Sequence, residues 1–300
     1  MKSRLLKVIT IILSMMVFVS VLTGCSTKKE TIKIATKPMT EQFILGEMLA
    51  LLIEDNTDLE VQMTKGVGGG TSNIHPAMVS GEFDIYPEYT GTSWREVLKK
   101  KDLPDTDTLY KELTKEYEEK YNLEWGSMYG FNNTYGLAIR EDLAQKYNMK
   151  TYSDLAKYVD KFVFGAEYDF YEREDGYEAL CDTYGLKFKK TVDMDIGLKY
   201  NAIKSKEIDV MNVFTTDGQL TSSNVVLLED DKEFYETYYC GTVIRKEVLD
   251  EHPELKDVLT KMENVLTESE MAKLNYKVET ESMDEKEVAK EFLQSKGLLE

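Results

Sequence analysis

Residues able to do chemistry are scarce in this 300-residue chain, and their spacing assembles no reaction centre. The two histidines, His75 and His252, lie far apart, and neither falls in a metal-ligand pattern. GVGGGTSNIH, residues 66–75, has the glycines of a phosphate loop without the Lys-Ser/Thr ending, and no G-x-S-x-G elbow occurs. The 55 acidic residues are too many for any two to be singled out as acid and base. What stands out instead is YPEYTGTSW, residues 86–94, where Tyr86, Tyr89 and Trp94 crowd beside Gly91. Rings at this density either pack against their own fold or present their faces to a ligand.

The elements around these residues read as alternating strands and helices. TIKIAT alternates as a strand, and TEQFILGEMLALLIED carries a helical stripe of Phe43, Ile44, Leu45, Met48, Leu49, Leu52 and Ile53. LEVQMT is a second strand, GVGGGTSNIHPAMVSGE a Gly-rich loop feeding a helix, and FDIYPEY a third strand. That order implies a parallel sheet covered by helices. A second series follows: the strand YGLAIR, the helices EDLAQKYN and YSDLAKYV, the strand KFVFGAE, a helix in DGYEALCDTYG, then LKFKK, the helix DIGLKYNAIKS and the strand IDVMNVF. After YYCGTVIRKEVL the chain reads as helical from His252 onward. About 275 residues beyond the leader suit two α/β lobes better than one.

Residues 1–24 read as a secretory signal peptide, with Lys2, Arg4 and Lys7 ahead of an apolar run from Val8 to Leu22 that is short for a spanning helix. Leu22-Thr23-Gly24-Cys25 resembles the lipobox of bacterial lipoproteins, which implies lipidation of Cys25, a tether over 25–31 and attachment to the extracytoplasmic face of a bacterial membrane. Removing the leader takes away three basic residues and no acid, so the formal charge goes from −18 to −21. So negative a surface, without a basic stripe, repels phosphate backbones and excludes nucleic acid as a partner. Cys181 and Cys240 remain, either bridged or as two buried thiols.

IKIATKPMTEQFILGEML, GEFDIYPEYTGT, YGFNNTYGLAIREDLAQKYN, EREDGYEAL, DMDIGLKYNAI, TTDGQL and HPELKDVL, in this order, resemble the substrate-binding lipoproteins of OpuC-type osmoprotectant ABC transporters. The resemblance implies an α/β, type II periplasmic-binding-protein-like fold. Lobe 1 would take 32–133 and 240–300, lobe 2 would take 134–239, and two crossover segments would join them around a ligand cleft. It implies a carrier that performs no catalysis, needs no cofactor or metal, and delivers glycine betaine, carnitine or choline to a membrane permease. Ergothioneine, a larger trimethylated betaine, is the alternative ligand. A structural or adhesive lipoprotein, or a lipoprotein hydrolase, is the alternative from another class.

By family position, the resemblance places Tyr89, Tyr135, Phe214 and Tyr239 as walls of an aromatic cage. A quaternary ammonium has no N–H to donate and no proton to lose, whereas a ring face attracts it by roughly 0.5–2 kcal/mol. Lys37, where relatives often carry glutamine, would receive the carboxylate of a betaine, or else pair with Glu41. Thr92 would leave room for a carboxylate-bearing ligand, or cap a helix beginning near Ser93. Thr71 and Asn73, with Ser72, would offer donors to an anion at a helix N-terminus, or cap that helix. Tyr86 and Trp94 are read as packing.

Overall fold

The computed structural model describes residues 30–101, 103–167, 170–171, 176–194, 198–235 and 237–299. The leader, Cys25 and the start of the tether lie outside the described residues.

Two five-stranded sheets divide the chain. The first has the order β2-β1-β3-β10-β4, built from β1 (Thr31–Ala35), β2 (Glu60–Thr64), β3 (Ile85–Tyr89), β4 (Leu123–Asn132) and β10 (Tyr239–Arg245). The second has the order β7-β6-β8-β5-β9, from β5 (Tyr135–Arg140), β6 (Val163–Ala166), β7 (Lys190–Asp193), β8 (Val210–Phe214) and β9 (Val225–Leu227). β1 runs parallel to β2 and β3, and β6 parallel to β7 and β8. The all-parallel expectation fails at β10 and β5, each antiparallel to both of its neighbours. Both strands begin where the chain crosses from one sheet to the other, and they run opposite to the neighbouring strands of the sheet they enter.

Helices cover both faces of each sheet. In the first half, α1 (Thr40–Asn56) packs with the C-terminal helices on one face, where Ile44, Leu45, Met48, Leu49, Leu52 and Ile53 are buried. On the other face, α2 (Thr71–Val79) and α3 (Thr106–Tyr121) close over Tyr86, Trp94 and Trp125, so Tyr86 and Trp94 are core residues as expected. α3 presents Leu109, Leu113 and Tyr117 at a spacing of four, a stripe the strand-and-helix reading passed over together with β4. The helices of the second half are α4 (Glu141–Tyr147), α5 (Tyr152–Ala156), α6 (Tyr177–Tyr184) and α7 (Lys199–Lys204). The first three pack with Phe164 and Phe170, and α7 packs on the opposite face with Met211 and Val213. The chain ends with α8 (Lys246–Glu251), α9 (Glu254–Thr260), α10 (Glu268–Glu279) and α11 (Glu285–Ser295), which lie with α1.

Cys240 is buried in β10 and Cys181 half-buried on α6, both as free thiols, which removes the bridged alternative. Among the described residues no helix is long and apolar enough to cross a membrane, and no group of His, Cys, Asp and Glu is placed to hold a metal.

The two crossings run side by side. The backbone N–H of Asn133 donates to the Tyr238 carbonyl at 3.2 Å, and that of Tyr238 donates to Asn132 Oδ1 at 2.6 Å. Thr215, just after β8, ties the same place to the second sheet: its N–H donates to the Thr134 carbonyl at 2.9 Å and its hydroxyl to the Asn132 carbonyl at 2.7 Å. The two sheets are thus stitched at the point where a pocket opens.

Candidate functional site

The pocket at this junction, of about 240 Å3, is lined by Met39, Tyr89, Thr92, Glu96, Asn133, Thr134, Tyr135, Phe214 and Tyr238. Tyr89 ends β3, Tyr135 begins β5, and Phe214 ends β8, so strand ends from both sheets aim rings at one space. Tyr135 and Phe214 are register partners across β5 and β8, and their rings stack with centroids 4.7 Å apart and planes 30° from parallel. They form one wall of the pocket as a unit.

Tyr238 lies in the returning crossover, and its ring rests on Gly91. A Cβ at Gly91 would meet that ring at 2.7 Å, which explains the glycine between Thr90 and Thr92. Tyr239, the expected fourth wall, lines a separate pocket of about 640 Å3 with Tyr152, Tyr235 and Asp230. Successive residues of an extended segment point to opposite faces, so the neighbouring tyrosine reaches the first pocket. Thr134 and Tyr135 line both pockets.

Tyr89 is 5% exposed, and its hydroxyl donates to Glu41 Oε1 at 2.5 Å. Burial, followed by the charge of Glu41, pushes this phenol well above its ordinary range. The Lys37 ammonium stands over the same ring, 4.7 Å from its centroid, and occupies one face. Lys37 is absent from the pocket lining and pairs with Glu88, not Glu41, in a bridge with both side chains buried. Glu88 also accepts from the Thr71 hydroxyl and from the backbone N–H of Tyr89, each at 2.6 Å. A buried pair of this kind needs such further hydrogen bonds to offset the desolvation of two charges. Thr71 therefore serves Glu88, and Asn73 donates to the Gly68 carbonyl at 2.6 Å, bracing the Gly-rich loop. Neither caps α2, whose N-cap is Gly70, and neither lines the aromatic pocket.

Thr92 does line the pocket. It lies inside a short helical turn, Thr90–Thr92, that runs on into a π-turn over Ser93–Val97, and it makes no side-chain cap there. Polar groups at the wall are thus Thr92, Asn133 and Thr134, and among the described residues the one acid of the lining is Glu96, which is exposed. Among the described residues, no lysine or arginine lines it. Such a surface can grip a cation by ring faces and accept or donate a few neutral hydrogen bonds. It offers neither a nucleophile with a base nor a site for a metal.

Two residues central to this geometry were not among the site residues expected from the sequence. Glu88 sits within YPEYTGTSW, where an acid amid rings was a visible anomaly. Glu41, in the first turn of α1, entered only as a partner for Lys37 four residues away, with no signal that it reaches Tyr89.

The family model described as the substrate binding domain of ABC-type glycine betaine transport systems, OpuAC, matches residues 30–295. The chain is 44% identical over 271 residues to the ergothioneine transport permease/ergothioneine binding protein EgtU of Helicobacter pylori. That match covers 90% of this chain and 48% of EgtU, so the chain spans about half the length of that relative. It is 37% identical over 274 residues to the carnitine transport binding protein OpuCC of Listeria monocytogenes, covering 91% of this chain and 89% of that protein. Among solved structures, that of a glycine betaine/carnitine/choline ABC transporter superposes with a TM-score of 0.85 at 31% identity, covering 90% of this chain and all of the other.

Proposed function

This chain belongs to the family of substrate-binding domains of ABC-type glycine betaine transport systems, and on that premise we propose that its ligand is a trimethylammonium zwitterion held between Tyr89, Tyr135, Phe214 and Tyr238. As a substrate-binding protein, not an enzyme, it captures a small molecule outside the cytoplasm and hands it to a membrane permease. The observation that supports the ligand class is the junction pocket, where ring faces come from both sheets and from the crossover between them. Aromatic faces suit a bulky, weakly hydrated, permanently charged headgroup, whereas a primary ammonium would lose its hydration there with too few acceptors in return.

Glycine betaine and carnitine are the first ligands of this reading. Their carboxylate would meet Thr92, Asn133 and Thr134 and not Lys37, whose charge is spent on Glu88. The division into lobes at 32–133 with 240–300 and at 134–239 is supported by the strand membership of the two sheets, except that Tyr239 begins β10 of the first sheet. Closure of one lobe on the other would then complete the cage, so binding and hinge motion become one event. We further place Cys25 as the lipid anchor that holds the protein beside its permease.

Ergothioneine is a second reading, favoured by one observation. The larger pocket of about 640 Å3 adjoins the first through Thr134 and Tyr135, and offers room for a ligand that extends past the cage. The experiment that tests both is isothermal titration against glycine betaine, carnitine, choline, ergothioneine and free amino acids. Tight binding of a trimethylammonium compound supports the class and ranks its members; binding of amino acids alone, or of nothing, refutes it.

A further inference from the structure

One carboxylate touches Tyr89 on β3 and, through Asn133 and Asn275, the segments beside β5 and β8. Glu41 Oε1 accepts the phenol proton of Tyr89 at 2.5 Å. The same oxygen accepts Asn133 Nδ2 at 2.9 Å, and Asn133 stands two residues before Tyr135. Thr216, two residues after Phe214, is linked to the Glu41 carboxylate through Asn275 of α10. The Thr216 carbonyl is in turn held by Asn275 of α10 at 2.9 Å, and Asn275 also reaches Glu41 Oε2 at 3.5 Å. Glu41 is 4% exposed and lies outside the pocket lining.

A buried carboxylate is costly unless its lone pairs are well used. Here they are used on groups that belong to three separate segments, β3, the outgoing crossover and α10, and Asn275 of α10 passes the link on to the turn after β8. A purely structural need at the start of α1 would be met by a neutral cap, and α1 has no side-chain cap at all. The phenol-to-carboxylate hydrogen bond holds the Tyr89 hydroxyl at the edge of a ring that also carries the Lys37 ammonium 4.7 Å from its centroid.

We propose that Glu41 is the positioning residue of the cage: its carboxylate sets the mutual geometry of Tyr89, Tyr135 and Phe214, so that rings from the two sheets meet one cation together. The inference rests on the reading that these rings hold the ligand. Recognition sites need their groups held to within about half an ångström, which a shared hydrogen-bond acceptor supplies and packing of separate strands does not.

The test is isothermal titration of the parent protein, Tyr89→Phe, Glu41→Gln, Glu41→Ala and the Tyr89→Phe/Glu41→Ala double variant, with urea unfolding of each. Glycine betaine, carnitine and ergothioneine are the probes, and the one the parent binds tightest is followed through the series. If the parent binds none of them, the ligand reading falls and takes this inference with it; if the parent binds, the variants decide the role of Glu41 alone. Tyr89→Phe keeps the ring and loses the hydrogen bond to a charged acceptor, and is expected to weaken binding about tenfold. Glu41→Ala is expected to weaken it at least as much, and the double variant to be within about twofold of Glu41→Ala, because the two changes remove one shared interaction. Glu41→Gln keeps an acceptor for Tyr89 and Asn133, and is expected to stay within about threefold of the parent. Parent-like affinity in Tyr89→Phe, or single losses that multiply in the double variant, overturns the proposal. Should Glu41→Ala fail to unfold cooperatively, Tyr89→Phe and Glu41→Gln still decide, since both preserve side-chain shape.

Discussion

Replacing Tyr135 by alanine removes the ring that the geometry makes most important. Tyr135 lines both pockets, stacks on Phe214 at 4.7 Å and begins the first strand after the crossing. Its own face contributes roughly 0.5–2 kcal/mol to a desolvated quaternary ammonium. Its stacking holds Phe214 in place, and an aromatic pair of this kind is worth roughly 0.5–1.5 kcal/mol, part of which is lost as pre-organisation of the second ring. A total near 2–3 kcal/mol corresponds to a roughly 30- to 140-fold weaker dissociation constant at about 1.4 kcal/mol per decade. The assay is isothermal titration with the tightest trimethylammonium ligand, beside far-UV circular dichroism. Tyr135 is half-exposed at a strand end, so the dichroism should not change. Tyr135→Phe retains the face and the stack, and should stay within about threefold of the parent. Parent-like affinity in Tyr135→Ala, or an equal loss in Tyr135→Phe, would refute the ring-face reasoning.

The two neighbouring tyrosines of the returning crossover should separate: Tyr238→Ala weakens ligand binding about tenfold, while Tyr239→Ala, on the other pocket, leaves glycine betaine affinity within about threefold, as read by titration. Lys37→Met leaves Glu88 buried without its counter-charge and should lower stability by about 3 kcal/mol in urea unfolding. Its effect on carboxylate-bearing and carboxylate-free ligands should be equal, and a selective loss of betaines would show that Lys37 reaches the ligand. Gly218 lies against the Asn275–Tyr276 backbone of α10, where a Cβ would meet Tyr276 N at 2.6 Å. Gly218→Val should therefore hold the second sheet away from α10 and weaken binding, visible as a larger radius of gyration in small-angle scattering with ligand present. Finally, burial raises the Glu41 carboxyl above the ordinary glutamate range, against hydrogen bonds from Tyr89, Asn133 and Asn275, and Glu279 lies nearby as a like charge. Folding thus favours the protonated acid, so its stabilising contribution is present below the unfolded value and is lost as pH rises through the folded one. Glu41→Gln, which does not titrate, should gain stability relative to the parent as pH rises above about 4.5, in urea titrations across pH.

What was legible in the sequence follows from how locally each feature is encoded. The stripe of α1 and the alternation of β1 lie within one element, and both are found where periodicity put them except for Phe43, which is only half-buried. α3 was equally readable from Leu109, Leu113 and Tyr117, whereas β4 is broken by Gly126 and Gly130 and paired to β10 with register shifts, which blurs its alternation. The partner of Lys37 was not readable. Glu41 stands four residues away in sequence, but Glu88 reaches the lysine because β1 and β3 are neighbours in the sheet, a fact of topology. The choice between Tyr238 and Tyr239 turns on a single step of an extended segment, and one residue reverses the face. Tyr89, Tyr135, Phe214 and Thr92 do line one pocket, because strand ends at a crossing are where such a fold opens.

The most direct measurement is a crystal structure with the tightest-binding trimethylammonium ligand. The expected result is a quaternary nitrogen in the junction pocket, within about 6 Å of the ring centroids of Tyr89, Tyr135, Phe214 and Tyr238. A headgroup seated elsewhere, for instance beside Tyr235 and Tyr239 with the four rings empty, would contradict it.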